Sequence, residues 1–118
     1  MHELPVTQGM LSIVLEAATR AGDRRILAID AVIGDLTSIV DDSVQFYFDI
    51  LSRGTLAEGA VLRFHRRPGT ATCLDCGHTF EVRPPLPTEC PRCSSPLIRV
   101  TGGTEFYVES IDLEDGTA

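Results

Sequence analysis

Cys73-Leu74-Asp75-Cys76, followed after thirteen residues by Cys90-Pro91-Arg92-Cys93, is the stretch on which the reading of this chain turns. Two residues between thiolates let one tight turn aim both sulfurs at a single ion, and two such turns complete a tetrahedron. Gly77, just past the first pair, suits positive φ, and Pro91 inside the second fixes a φ that pre-forms the turn. A dithiol redox site needs one pair in a strand-to-helix setting, and an iron–sulfur cluster rarely uses this paired ribbon spacing. The four cysteines therefore read as a closed, structural Zn(II) site with no position open to water or substrate.

Punctuation brackets this segment on both sides. Arg67-Pro68-Gly69 ends the pattern before it, and Gly102-Gly103 follows it. Upstream, Met10, Ile13, Val14, Ala17 and Ala21 recur at helical spacing, which predicts a helix over 7–21 with Thr7 as its cap and Gly22 past its end. Leu27, Ile29, Ala31 and Ile33 alternate at period two and predict a strand over 25–33 ending at Gly34. Val44, Tyr47, Phe48 and Leu51 mark a second helix, capped by Asp41 or Asp42 and closed before Gly54. Residues 60–66 and 105–113 read as strands, the latter with Phe106 and Val108 on one face and Tyr107, Glu109 and Ile111 on the other. A lone strand is not stable, so the last returns to the first sheet. The expectation is an α+β fold: a small mixed sheet with two helices, built from 1–67 plus 104–118, carrying an inserted zinc ribbon over 68–103.

The totals exclude several classes of function. Ten Lys and Arg against seventeen Asp and Glu give 10 − 17 = −7, and an acidic surface repels phosphate backbones. Within 72–100, Arg83, Arg92 and Arg99 meet Asp75, Glu81 and Glu89, so an alternative zinc-ribbon adaptor for nucleic acid or a protein machine lacks its basic face. Arg63-Phe64-His65-Arg66-Arg67 reads as a solvated strand end, with His65 toward solvent. His78 reads as a surface residue beside thiolates that already satisfy the metal. No apolar run approaches the ~20 residues that span a bilayer. Met1-His2-Glu3-Leu4-Pro5 has neither the basic nor the apolar region of a secretory signal, so the expected location is cytoplasmic, with no membrane partner. No nucleophile–base pair, phosphate loop or open metal position points to an enzyme.

The amino terminus offers different chemistry. A terminal amine on Met1, nearby backbone amides and the His2 imidazole can close five- and six-membered chelate rings, with Glu3 adjacent as a ligand or supporting acceptor. Such nitrogen-rich, nearly planar coordination suits Ni(II) or Cu(II) better than zinc. Asp41 and Asp42 offer oxygen ligands if the second helix begins near this end, although capping is the simpler role.

Met1-His2-Glu3-Leu4, Ile33-Gly34-Asp35-Leu36, Gly54-Thr55-Leu56-Ala57-Glu58-Gly59-Ala60, the paired cysteines and Val108-Glu109-Ser110-Ile111 together resemble the HypA/HybF family, in the same order over nearly the whole chain. That resemblance implies a nickel metallochaperone of [NiFe]-hydrogenase maturation. Its nickel is held at the amino terminus by His2, its partners are the nickel-associated GTPase HypB and a hydrogenase large-subunit precursor, and some members also serve urease. Two positions depart from the pattern: Pro5 follows Leu4, and Ser94 stands where glycine commonly follows the fourth cysteine. Neither removes a ligand, but Pro5 bears on where the first helix starts and Ser94 on strain in the second knuckle.

Overall fold

A computed structural model describes residues 3–115. In chain order the elements are α1 (Glu3–Arg20), β1 (Ile26–Gly34), α2 (Asp41–Leu51), β2 (Val61–Arg67), β3 (Gly69–Cys73), β4 (Thr79–Val82), β5 (Ile98–Gly102) and β6 (Phe106–Leu113). They form two three-stranded sheets, ordered β2-β1-β6 and β4-β3-β5. The radius of gyration is 18.3 Å and the long dimension 59 Å, against about 13–14 Å expected for a single compact body of this length. The two sheets therefore lie end to end rather than face to face.

In the first sheet β1 runs parallel to β2, with α2 in the crossover, and antiparallel to β6. Ile29, Ala31 and Ile33 of β1 meet Met10, Leu11 and Val14 of α1, Val44 and Phe48 of α2, and Leu62 of β2 in one buried cluster. The return of the final strand to this sheet is as expected, and so is the mixed pairing.

Several local expectations give way to the tertiary structure. The first helix begins at Glu3, not Thr7. Pro5 lies in its first turn, where a missing N–H is not needed. Thr7 is fully buried and its hydroxyl donates back to the Glu3 carbonyl, so it is an interior residue rather than a cap. Ile13 is exposed, and the inward stripe runs through Thr7, Met10, Leu11, Val14 and Ala18. The second helix is preceded by Val40, which makes no side-chain cap. Asp41 and Asp42 lie inside its first turn, where carboxylates favour the positive end of the dipole.

Two register shifts flip faces that simple alternation assigns wrongly. Ile26 pairs with Leu113 but Ala28 with Asp112, which leaves Leu27 as an extra residue and turns it out to solvent. Asp30 pairs with Ser110 but Ala31 with Val108, so Glu109 is the extra residue in β6. A bulge of this kind reverses the inward set beyond it. Ile111 and Leu113 consequently join Phe106 and Val108 against the core, where plain period-two counting sends Ile111 outward.

The outward face of this sheet carries a polar network instead of a solvated strand end. Arg63 donates from Nε and Nη2 to both oxygens of Asp30 at 2.8 Å and also reaches Asp112. His65 and Ser110 complete the surroundings of the same carboxylate, each at 2.9 Å. The Arg63 guanidinium first, then His65 and Ser110, hold the Asp30 carboxyl well below the usual carboxylate range. His65 is thus committed to Asp30 on this face.

The sheets join at a close glycine contact. Gly34 N–H donates to the Glu105 carbonyl at 2.7 Å, Asp35 N–H to Arg67 at 2.8 Å, and Leu36 N–H to Gly103 at 2.7 Å. Gly69 pairs with Gly102 at the start of the second sheet. Leu36 packs against both chain passages: a Cβ on Gly69 would lie 2.7 Å from its Cδ1, and one on Gly103 2.9 Å from its Cγ. Gly34, Gly69 and Gly103, read from sequence as punctuation, are packed contacts.

Candidate metal centre

The second sheet has little apolar substance. Ala71, Cys73, Val82 and Cys90 are its buried hydrophobic side chains, and two of these are sulfurs of the centre itself. What organises it is a pair of matched turns. Cys73 N–H donates to the His78 carbonyl and Cys90 N–H to that of Ser95; Gly77 N–H returns to Cys73 and Ser94 N–H to Cys90. The two knuckles thus repeat one hydrogen-bond scheme at a spacing of seventeen residues. The first is set by strands β3 and β4, while the second is a turn held against the first. Ser95 makes the link: its hydroxyl donates to Asp75 in the first knuckle and accepts from Leu97 N–H.

All four Sγ atoms lie within 4.8 Å of one another. Cys73 and Cys93 are 3.5 Å apart, Cys76 and Cys90 3.7 Å. Sulfurs at the corners of a tetrahedron with ~2.3 Å metal–sulfur bonds stand about 3.8 Å apart, so the donor set fits one tetrahedral thiophilic ion. Backbone N–H groups of Cys76 and Arg92 point at Cys73 and Cys90 sulfur at 3.4 Å, which favours thiolate over thiol. The Cys76 N–H leads in bringing the Cys73 thiol down to about 7. At Cys93 the Ser95 N–H pulls the same way, but the Cys73 sulfur, burial and the remaining sulfurs push it up to about 12. Four thiolates this close repel one another unless a cation sits among them, so binding an ion releases protons.

Ser94 has φ +64 where the matching Gly77 has +78. The departure noted in the sequence is therefore a side chain held in the left-handed region, at a cost of roughly 1 kcal/mol. Ser94→Gly should raise the stability of the metal-loaded protein by about that amount, and Gly77→Ser should lower it comparably. Thermal denaturation of the three proteins at fixed zinc provides the check, and equal midpoints would remove the strain argument.

The amino-terminal candidates divide. Met1 and His2 lie outside the described residues. Glu3 opens α1, and its Oε2 accepts the Val40 N–H at 3.1 Å, so the starts of α1 and α2 meet. Asp41 is bound by Arg66, which also donates to the Ile39 carbonyl at 2.6 Å. Asp35 stands between this group and the cysteine module: one oxygen lies 3.9 Å from Arg66, and the other accepts Arg83 Nε at 2.8 Å. Asp35, Arg66 and Arg83 were not legible as a group, because each comes from a different element and their spacing carries no period.

A two-sheet α+β chain with a knuckled four-cysteine ion site in its second sheet and converging helix starts beside the junction defines a small metal-binding protein. The chain belongs to the HypA family. The family model described as "Hydrogenase/urease nickel incorporation, metallochaperone, hypA" matches residues 1–113. The hydrogenase maturation factor HypA of Dehalococcoides mccartyi (strain ATCC BAA-2266 / KCTC 15142 / 195) is 42% identical over 115 residues, covering 98% of this chain and 96% of that protein. Its counterpart in Caldanaerobacter subterraneus subsp. tengcongensis is also 42% identical, over 97% of this chain and 100% of that one. The solution structure of the Ni metallochaperone HypA from Helicobacter pylori superposes with a TM-score of 0.65 at 22% identity, over 96% and 97% of the two chains, and shows the same fold.

Proposed function

We propose that the chain binds Ni(II) as cargo at its amino terminus, through the Met1 amine, His2 and Glu3, and passes it to a hydrogenase large-subunit precursor, with the GTPase HypB as partner. The observation that carries this reading is the meeting of Glu3 with the start of α2. It anchors the third residue of the chelating sequence and leaves the terminal nitrogens ahead of it in sequence. Reversible delivery favours such a site, because an incoming ligand must reach the metal before the old ones leave. In this reading the four cysteines hold Zn(II) structurally, residues 68–103 act as a zinc-ribbon domain on a nickel-binding domain of 1–67 plus 104–118, and the protein works in the cytoplasm.

The contacts from Glu3 to Val40, Ile39 to Arg66, Arg66 to Asp35 and Asp35 to Arg83 offer a route by which nickel binding is felt in the zinc module. Untagged protein should bind one Ni(II) by calorimetric titration. His2→Ala, or a few residues added before Met1, should weaken binding by more than about a hundredfold, roughly 2.7 kcal/mol. Nickel should also slow amide exchange around Cys73 to Cys93 in the wild type alone. Equal nickel binding by all three proteins would refute the site, and an unchanged exchange pattern would refute the route.

A further inference from the structure

Strand β2 puts Leu62, Phe64 and Arg66 on one face at period two. The first two enter the core, and Arg66 follows where the core runs out, at the start of α2. A cation is electrostatically misplaced there, because the positive end of the α2 dipole repels it. Asp41 in the first turn already suits that end without help, and its ion pair with Arg66 does no more than offset the repulsion. The stability of the helix therefore does not account for the arginine. What Arg66 adds is a bond to the backbone ahead of the helix: its Nη2 donates to the Ile39 carbonyl at 2.6 Å.

That carbonyl and the Val40 N–H belong to one peptide unit, and the helix uses neither. Helical bonding starts with the Val40 carbonyl, which accepts from Ser43 and Val44, and Val40 makes no side-chain cap. The Val40 N–H instead donates to Glu3 Oε2 at 3.1 Å. A guanidinium thus holds one end of this peptide and a carboxylate the other, and each bond polarises the group that makes the next. Arg66 fixes the plane of the peptide and makes its N–H a stronger donor to Glu3.

We infer that Arg66 is a positioning residue for the amino-terminal metal site: through the Ile39–Val40 peptide it sets where Glu3, and with it the chelating sequence, is held against α2. The inference rests on the reading of Ni(II) at Met1, His2 and Glu3. Nickel titration of untagged, zinc-loaded full-length protein would compare wild type, Arg66→Gln, Glu3→Ala, the double variant and Arg63→Gln. Groups that orient a metal's ligands typically cost about 10–100-fold in affinity when replaced, so Arg66→Gln should weaken nickel binding about tenfold. Arg63→Gln, which breaks the ion pairs to Asp30 and Asp112 on the other face of the same sheet, should leave it unchanged. A role exerted through Glu3 also predicts coupling: in the Glu3→Ala background, Arg66→Gln should cost less than about twofold. In nickel-free protein the Val40 amide should exchange faster in Arg66→Gln than in wild type, while amides of 28–33 stay slow. Wild-type affinity in Arg66→Gln, additive losses in the double variant, an equal loss in Arg63→Gln, or an unchanged Val40 amide would each overturn the assignment. Nickel binding indifferent to His2→Ala would overturn the nickel reading and this role with it, whereas a His2-dependent site indifferent to Arg66→Gln would overturn the positioning role alone.

Discussion

Gly34→Ala should remove a large share of the protein's stability. A Cβ at this position would overlap the Gly103 carbonyl oxygen and carbon and stand 2.6 Å from Glu105 Oε1. The first two atoms are backbone, so no rotamer change relieves the clash, and the passage leaving the cysteine module must move away from β1. That motion breaks or stretches the bonds from Gly34 to Glu105, Asp35 to Arg67 and Leu36 to Gly103. At about 0.5–1.5 kcal/mol for each bond, with about 1–3 kcal/mol for overpacking, the loss is about 3–7 kcal/mol. Domains of this kind are stable by only about 5–15 kcal/mol. Gly9→Ala is the control: its Cβ meets open space in a helix, and it should be neutral or stabilise by up to about 1 kcal/mol. Urea denaturation of both variants decides, and a wild-type midpoint for Gly34→Ala would show that the junction is looser than its contacts imply.

That prediction rests on something the sequence did not announce. Gly34, Gly69 and Gly103 read as punctuation, and their role as a packed junction beside Leu36 depends on bringing together residues nearly seventy positions apart. The cysteine centre was legible because its geometry is local: two residues between thiolates suffice to specify a knuckle. The helices and strands were legible from periodicity, with errors where long-range pairing overrules it. Leu27 and Glu109 are extra residues only relative to a partner strand, so no window of one strand reveals them. Thr7 resembled a cap because its residue type favours one, yet packing drew it into the core and Pro5 gave the helix an earlier start. Arg63 and Arg66 resembled a solvated basic run because their acceptors, Asp30, Asp35, Asp41 and Asp112, lie on other elements.

Replacing one of the four clustered sulfurs, as in Cys90→Ser, or removing bound metal with a strong chelator, should unfold the second sheet while the first remains. The difference follows from what each sheet buries. Around β1 more than a dozen apolar side chains from both helices and three strands share one cluster. In the second sheet Ala71 and Val82 are the buried apolar groups besides the two sulfurs, contributing about 2–4 kcal/mol. Ordering some thirty residues costs tens of kcal/mol in backbone entropy. Hydrogen bonds and the junction with Leu36 offset part of this, and a bound ion supplies the remainder, on the order of 10–16 kcal/mol in small zinc peptides. Amides of residues 70–73 and 98–101, paired in the second sheet, should therefore lose protection and exchange within seconds, whereas those of 28–33 should stay slow. The proton balance adds a second readout. Since the neighbouring sulfurs and burial push the Cys93 thiol up to about 12, binding a metal ion among them displaces protons, and metal retention should weaken as pH falls. Exchange measured by mass spectrometry on metal-loaded, chelated and Cys90→Ser protein tests all of this. Persistent protection of 70–73 in the chelated protein would mean that the module stands on its packing, and that the ion serves something other than its fold.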